Sequence, residues 1–336
     1  MNIKSVEKAS TQKMFTDAMD FMGKWGTPAV IAILLVFFSL HMPSNFPTLK
    51  NFETIARSIC IVTVISMGKT FAVAVDGIDL SIGIAATFAC TAVTICFVWF
   101  NLPAPLAITV TILATLIIGA FNAFLIVKVN VPAMLATLAT SFIFEGIYLT
   151  IAGGGAISET MQLASGRQAI GKLSAGFKLI GQAPWIIIFM FVCVLVVFVY
   201  FKYTKFGRFT YIVGSNPTVA RLSGISVGFY TTLAYLFSAL FGCLGGLLIA
   251  ARTGGAQVGS GVPYLMPAVA ATFIGKSLGG VGKANAIGTL CGAALIGILE
   301  NGLVMERVPY YALNIAKGGV LALALAINYW QQKNKS

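Results

Sequence analysis

The sequence has little charge and almost no histidine. Only 10% of its 336 residues are charged, ten are acidic, and the single histidine is His41. One histidine argues against a histidine-based metal site and against a Ser-His-Asp triad, and acidic residues scattered along apolar segments form no polar catalytic cluster. We therefore expect no enzymatic activity in this chain and no cofactor bound to it.

Cysteine pairs with metal-binding or redox spacing are also missing. All six cysteines fall within apolar segments and none has CxxC spacing, so we interpret them as small packing residues. They stand at positions 60, 90, 96, 193, 243 and 291.

One stretch resembles a phosphate-binding loop but lacks its setting. The residues AATFIGKS (270–277) fit a relaxed phosphate-loop pattern with alanine in place of the first glycine. A true phosphate loop joins a buried strand to a helix, whereas this motif ends an apolar span. We interpret Lys276 as the anchor of a helix end at the cytoplasmic interface.

Apolar stretches fill most of the chain. Apolar residues make up 58% of the sequence and the mean hydropathy is +0.92, more than a water-soluble domain needs. A helix crosses the hydrocarbon core with about 20 residues, and segments such as 185–200 lack the alternation of membrane β-strands. The sequence predicts an all-α integral membrane protein with about ten transmembrane helices. We place them at 26–42, 55–75, 80–100, 104–127, 131–152, 184–203, 229–251, 263–280, 284–304 and 309–330.

The distribution of lysine and arginine predicts the orientation of the helices. With a cytoplasmic N-terminus, the cytoplasmic loops hold thirteen of these residues and the outer loops seven, which favours both termini inside. This topology beside anionic lipid explains the net charge of +12 without nucleic acid. The predicted regions are a cytoplasmic N-terminal segment (1–25), one transmembrane domain (26–330) with an extracytoplasmic loop (153–183) and a cytoplasmic loop (203–228), and a cytoplasmic tail (331–336).

Charged side chains within or beside the spans are candidate functional residues, because a charge in the membrane usually faces a cavity or a partner. They are Lys69, Asp76, Asp79, Glu145, Glu300 and Lys317. In the segment VDGIDLSIG (75–83), Gly77 weakens the helix. Either this is a broken helix that lines a translocation path, or Asp79 and Ser81 only cap the next span. Glu145 and Glu300 pair with lysines, stand at helix ends or contact substrate.

Two asparagines stand beside small residues, Asn122 in GAFNAF and Asn301 in LENGLV. An asparagine amide can hydrogen-bond across a helix contact, so packing and pore lining both stay open. The segments 117–139 and 295–317 share a glycine, an asparagine and a Val-Pro that opens the next helix. This weak repeat predicts two related halves, spans two to five and spans seven to ten, which in transporters often meet around a central path.

The basic stretch 204–228 lies between these halves. Asn216 and Pro217 indicate a helix start, and Gly224 ends the short amphipathic helix. With Arg221 exposed, such a helix would suit the transmission of movement from a cytoplasmic partner. An interfacial anchor that contacts only lipid head groups is the alternative.

Four motifs carry a family resemblance. They are GIDLSIG (77–83), NVPAMLATLA (130–139), GRFTYIVGSNPTVARLSGI (207–225) and FIGKSLGGVG (273–282). Over residues 50–330 the chain resembles the permease subunits of ribose-type bacterial ABC importers, which carry ribose, xylose, galactose and related small polar solutes. Asp76 replaces an expected glycine, Lys276 a small residue and Pro267 an often acidic residue. These departures leave the solute open.

The resemblance implies a coupling helix that docks in a groove of a cytoplasmic ATPase, which holds ATP and magnesium. The matching positions are Gly207, Arg208, Gly214, Asn216, Ala220, Arg221, Gly224 and Ile225. It also implies two permease copies with the path at their interface, an extracytoplasmic solute-binding protein, and a place in the bacterial cytoplasmic membrane. With the polar residues above, the expected path residues are Asp76, Gly77, Asp79, Ser81, Asn122 and Asn301.

A secondary transporter driven by an ion gradient is the alternative function. It needs a coupling carboxylate within the membrane, which Glu145 or Glu300 would have to supply. Uptake without ATP would distinguish it from an ABC importer.

Overall fold

The computed structural model describes residues 25–162, 166, 168–277, 282–309, 311–320 and 322. Within these residues the chain is a bundle of helices with one two-stranded sheet. The predicted N-terminal segment, apart from Trp25, and the predicted tail lie outside the described residues.

Five helices form the first part of the bundle. Helix α4 continues into a single π-helical turn, Phe124–Lys128. Pro103 and Pro132 immediately precede α4 and α5, where an amide N–H would have no partner within the helix. The helices are α1 (Trp25–His41), α2 (Leu49–Ala74), α3 (Ile82–Val98), α4 (Ala104–Ala123) and α5 (Ala133–Ala152).

The second part contains the remaining helices and the sheet. Strand β1 (Ile157–Ser158) pairs antiparallel with β2 (Gly255–Ala256). A short 3-10 helix, Val262–Tyr264, precedes α11. The helices are α6 (Ala175–Ile180), α7 (Trp185–Tyr203), α8 (Lys205–Ser215), α9 (Pro217–Leu222), α10 (Val227–Thr253), α11 (Leu265–Ser277), α12 (Ala286–Met305) and α13 (311–320).

Six of the described helices are long and apolar enough to cross a membrane: α2, α4 with its π-helical turn, α5, α7, α10 and α12. Helices α1 and α3 are apolar but no longer than 17 residues. At the predicted spans 263–280 and 309–330 the described helices are shorter still, and part of each span lies outside the described residues. The chain is therefore a multi-pass membrane protein, while the count of ten spans and the orientation stay predictions.

Two segments predicted as loops contain helices. The short helix expected after Asn216 is α9, but residues 205–215, read as loop, form α8. Gly207 and Gly214 both lie within α8 and pack against neighbouring backbone. The predicted outer loop, 153–183, holds β1 and α6.

Helices α2 and α10 form the centre of the bundle. In the most apolar window of each helix, 72% of α2 and 67% of α10 is buried, against 33% for α4, α5 and α7. Helix α10 packs against α2, α3 and α4, and α11 and α12 also pack against α2. The outer helices expose large apolar side chains such as Leu113, Phe142 and Leu195, as contact with lipid requires.

Candidate functional site

The short link from α2 to α3, residues 75–81, gathers most of the predicted path residues. Helix α2 ends at Ala74, and the Gly77 N–H donates to the Ala72 carbonyl at 2.9 Å. Asp76 is exposed and has a left-handed backbone, with φ at 58°. Gly77 is buried against the Tyr235 hydroxyl, which leaves no room for a Cβ. The sequence folds here as a tight, non-helical turn at the centre of the bundle.

Asp79 is the centre of a buried polar cluster in this link. Its Oδ1 accepts from the Ser81 N–H at 2.7 Å and from the Ser81 hydroxyl at 2.6 Å. Its Oδ2 accepts from the Ser238 hydroxyl of α10 at 2.5 Å. The Lys69 ammonium of α2 donates to the Asp79 backbone carbonyl, and all four residues are buried. A buried charge is tolerated when it is paired and hydrogen-bonded.

The same link is attached to two further helices. The Asn122 amide of α4 donates to the Ser81 hydroxyl at 2.7 Å. The Leu80 N–H donates to the Thr137 hydroxyl of α5 at 3.0 Å, and the Ser141 hydroxyl donates to the Leu80 carbonyl at 3.3 Å. The link is thus held through its backbone by α2 and α5 and through its side chains by α4 and α10.

Five predicted path residues therefore meet in one place, and the sixth does not. Asn301 lies on α12, which packs against α2, α7 and α11, and its Oδ1 is buried without a partner among the described residues. Asp79 accepts from the Ser81 N–H directly before α3 and also contacts Ser238 of α10. Their role in a path stays a prediction.

Sequence reasoning missed several partners of this cluster. Ser238 and Tyr235 stand among apolar residues of α10, and Thr137 reads as an ordinary helix residue. Lys69 was singled out as a charge within a span but not joined to Asp79. The signal that could have identified Ser238 and Lys69 is a lone serine or lysine within an otherwise apolar helix.

The α8–α9 segment forms the second candidate site. The Thr204 hydroxyl caps α8 by accepting from the Gly207 N–H at 3.1 Å. Asn216 Oδ1 caps α9 by accepting from the Thr218 and Val219 N–H groups at 3.0 and 3.1 Å, with Pro217 in the first turn. Gly224 follows α9 with φ at 75°, a conformation that favours glycine. The predicted start and end of this short helix are confirmed.

The underside of this segment is packed, and its outer face is free. Ala220 is fully buried in a cluster with Val213 and Tyr230, and Ile225 packs against that cluster. On the other face Arg208 and Arg221 are exposed, and Leu222 is 84% exposed. The predicted coupling residues thus divide into those that hold the helices in place and those that face outward.

Helix α8 also contacts other parts of the bundle at this end. The Tyr211 hydroxyl donates to the Ala284 carbonyl at 2.6 Å, and burial raises the pKa of Tyr211, which keeps the hydroxyl protonated. Gly214 lies against the backbone of Ala74 and Val75. A groove of about 330 Å³ opens beside α8. Its lining residues are Arg208, Tyr211, Ile212, Ser215, Asn216, Val219 and Lys283.

Of the two glutamates singled out near the spans, one forms an ion pair with a lysine. Glu300 pairs with Lys317 at 2.9 Å, the first of the three alternatives given for it. Glu145 is half-buried and forms no ion pair within the described residues. Across those residues no group of three or more His, Cys, Asp or Glu side chains lies close enough to hold a metal ion.

Comparison with known proteins places the chain in a family. A family model described as "Branched-chain amino acid transport system / permease component" matches residues 51–327, which include all four motifs. The ribose import permease protein RbsC of Haemophilus influenzae is 32% identical over 302 residues, covering 89% of this chain and 91% of that protein. The chain belongs to the ribose-type ABC importer permeases.

A second curated protein is also similar to this chain, and one solved structure aligns with it at low identity. The xylose transport system permease protein XylH of Escherichia coli K12 is 28% identical over 352 residues, which cover 88% of this chain and 89% of XylH. A solved metal-chelate type ABC transporter in an inward-facing conformation aligns with a TM-score of 0.48 at 14% identity, over 91% of this chain and 98% of that chain. The curated relatives are transport permease subunits rather than enzymes.

Proposed function

We propose that this permease is the membrane-spanning subunit of an ATP-driven importer for a monosaccharide or a similar small polar solute. The observation that carries the proposal is the α8–α9 segment, whose inner face is packed and whose outer face presents Arg208, Arg221 and Leu222. A helix that is held firmly by its caps and inner face can receive a push without deforming. The names of the ribose and xylose relatives support the solute class.

The partner of the α8–α9 face is a cytoplasmic ATPase, which binds ATP and magnesium. Exposed arginines pair well with carboxylates, and Leu222 and Val219 supply an apolar centre of the kind that interfaces bury. The complete importer contains two permease copies with the path between them, and an extracytoplasmic solute-binding protein that delivers the solute. It lies in the bacterial cytoplasmic membrane with both permease termini inside.

Within this importer the α2–α3 link belongs to the translocation path. Asp76 is exposed to the path, while the buried Gly77, Asp79, Ser81 and Asn122 set its position. Asn301 contributes from α12. Alternating access follows when ATP closes the two ATPase subunits and their movement shifts the α8–α9 segments.

The experiment is copurification and uptake with charge-reversed arginines. The amount of ATPase that copurifies with the double variant Arg208→Glu/Arg221→Glu should be at least about 10-fold lower than with the parent chain, because each reversal places like charges across the interface. The matched control is Lys50→Glu/Lys172→Glu, which makes the same change of charge at exposed positions of predicted outer segments. ATP-dependent uptake of radiolabelled D-ribose and D-xylose into vesicles is the second readout.

Two results would contradict the proposal. Equal recovery of the ATPase from both double variants would remove the α8–α9 face as the docking surface. Uptake driven by an ion gradient without ATP would favour a secondary transporter, for which Glu300, already paired with Lys317, is a poor coupling carboxylate.

A further inference from the structure

The α8 helix touches the end of α2 backbone to backbone. A Cβ at Gly214 would overlap the Ala74 carbonyl oxygen and crowd the Cα of Val75. No side chain separates the two helices at this point, so a displacement of α8 cannot be absorbed by a change of rotamer. A push of α8 towards α2 therefore acts directly on the end of α2.

The contact lies directly before the buried cluster of the α2–α3 link. Asp79 follows Ala74 by five positions, and its carboxylate and carbonyl are held by Ser81, Ser238 and Lys69. We call these four residues the Asp79 joint. Each of its hydrogen bonds is buried, where water cannot replace a lost partner.

The joint connects the start of α3 to the centre of the bundle. Ser81 immediately precedes α3, Ser238 lies in the middle of the buried helix α10, and Asn122 attaches α4 through the Ser81 hydroxyl. A close-packed set of contacts of this kind transmits strain rather than damping it.

We propose that the Gly214–Ala74 contact and the Asp79 joint transmit the movement of α8 to α3 and α10. Gly214 and Asp79 are positioning residues in this route. The inference rests on the proposed function, since an ATPase bound at α8–α9 supplies the movement. It adds the internal path by which that movement reaches the α2–α3 link and Asp76.

The test places a reporter cysteine in the link and needs no knowledge of the solute. Ile78 is half-buried between Gly77 and Asp79, whereas five of the six native cysteines are buried and Cys291 is half-buried. Ile78→Cys is introduced into the full chain, the complex is purified through a tag on the ATPase, and only assembled complexes are measured. Maleimide labelling of residue 78 is followed by peptide mass spectrometry with no nucleotide and with ATP plus vanadate.

The expected result is a change in labelling rate of at least about 5-fold on adding ATP and vanadate, the lower end of usual coupling between sites. Gly214→Ala or Asp79→Asn should reduce the change to less than about 2-fold, because coupling between the sites is then lost. Gly146→Ala is the matched control, since a Cβ at Gly146 meets nothing within 4 Å. It should keep the full response.

Ser238→Ala serves as a second variant, because it removes one hydrogen bond without introducing a clash. It should lower the response even if Gly214→Ala and Asp79→Asn do not assemble. An unchanged labelling rate in the parent reporter, or a full response in Ser238→Ala together with any assembled positioning variant, would overturn the route. If no ATPase copurifies with the parent chain, the proposed function itself has failed, and the two failures are thereby distinguished.

Discussion

The two central helices, α2 and α10, are each followed by a link to a shorter apolar helix, and the two links are held in different ways. The link after α2 is buried at Gly77, Asp79 and Ser81 and is organised by the carboxylate of Asp79. The link after α10, residues 254–264, is partly exposed and is held by strand pairing with β1 and by the Gly261 N–H, which donates to the Thr87 hydroxyl at 2.9 Å. One link depends on a buried charge, and the other on hydrogen bonds between neutral groups.

This difference predicts unequal sensitivity to mutation. Removing the Asp79 carboxylate leaves several buried donor groups without an acceptor, whereas removing one neutral hydrogen bond loses only that bond and the solvation of its partner. The link after α2 also contacts α8 through Gly214, while the link after α10 contacts the segment around β1. We expect the first link to tolerate little change and the second to tolerate more.

The largest expected effect is that of Asp79→Ala. It removes the acceptor of three buried donors, the Ser81 N–H and the Ser81 and Ser238 hydroxyls. At about 1–3 kcal/mol for each buried group left unsatisfied, it should lower the free energy of unfolding by about 3–5 kcal/mol. Thr87→Val, which acts on the other link, should lower it by about 1–2 kcal/mol, because the Gly261 N–H loses its acceptor and the Gly83 carbonyl loses a donor.

The measurement is the thermal midpoint of detergent-solubilised protein by size-exclusion chromatography. Asp76→Asn is the control, since Asp76 is exposed and asparagine tolerates its positive φ. Equal midpoints for Asp79→Ala and Thr87→Val would contradict the comparison.

A smaller loss of stability is expected from Gly77→Ala, and a second substitution at Tyr235 should restore it. The added methyl group overlaps the Tyr235 hydroxyl and should cost about 1–3 kcal/mol. The Tyr235 hydroxyl has no partner among the described residues, so Tyr235→Phe alone should be nearly neutral and should rescue Gly77→Ala.

Gly254→Ala is the matched variant in the second link. Its φ of 71° costs an alanine about 1–2 kcal/mol although the surrounding space is open. Tyr235→Phe should not rescue it. A double-mutant cycle on the thermal midpoints measures both couplings, and an absence of coupling between positions 77 and 235 would show that the close contact does not limit the link.

Local signals in the sequence predicted local structure well. Asn216, Pro217 and Gly224 define the ends of α9 through contacts within a few residues, and each was recognised from its residue type. Long apolar runs likewise predicted the six long helices, because burial in lipid selects composition over a whole span. The family motifs in residues 51–327 were recognised for the same reason, since they are continuous in sequence.

Contacts between distant residues were not predictable in the same way. Ser238 lies 159 positions from Asp79, and only folding brings the two together. Gly214 contacts the backbone of α2, but glycine favours turns and close backbone contacts alike, so its residue type alone does not identify this neighbour. Asn122 and Asn301 looked equivalent, yet only Asn122 contacts Ser81.

The smallest expected effect concerns Glu159, which follows β1 beside the second link. Its carboxylate pairs with Lys178 at 2.7 Å and accepts from the Leu173 N–H at 2.9 Å. Burial acts to raise the pKa of Glu159, but these hydrogen bonds and the charges of Lys178 and Lys172 hold it below its ordinary value of 4.5. Because the folded pKa is depressed, the stabilisation is fully present at neutral pH and is lost as the pH falls below 4.5 through the folded value.

Glu159→Gln tests this pH dependence. The pair is partly exposed and screened by solvent, so the variant should destabilise the β1–α6 segment by about 0.5 kcal/mol at pH 7. At low pH the wild type should match the variant, because the wild-type carboxyl is then protonated as well. Proteolytic cleavage rates of 153–183 in both proteins, measured with an acid-active protease at several pH values, report the difference. If the cleavage rates of wild type and Glu159→Gln still differ by the same factor at low pH, the effect arises from the shape of the side chain rather than from its charge. Strand pairing would then be the main support of the second link.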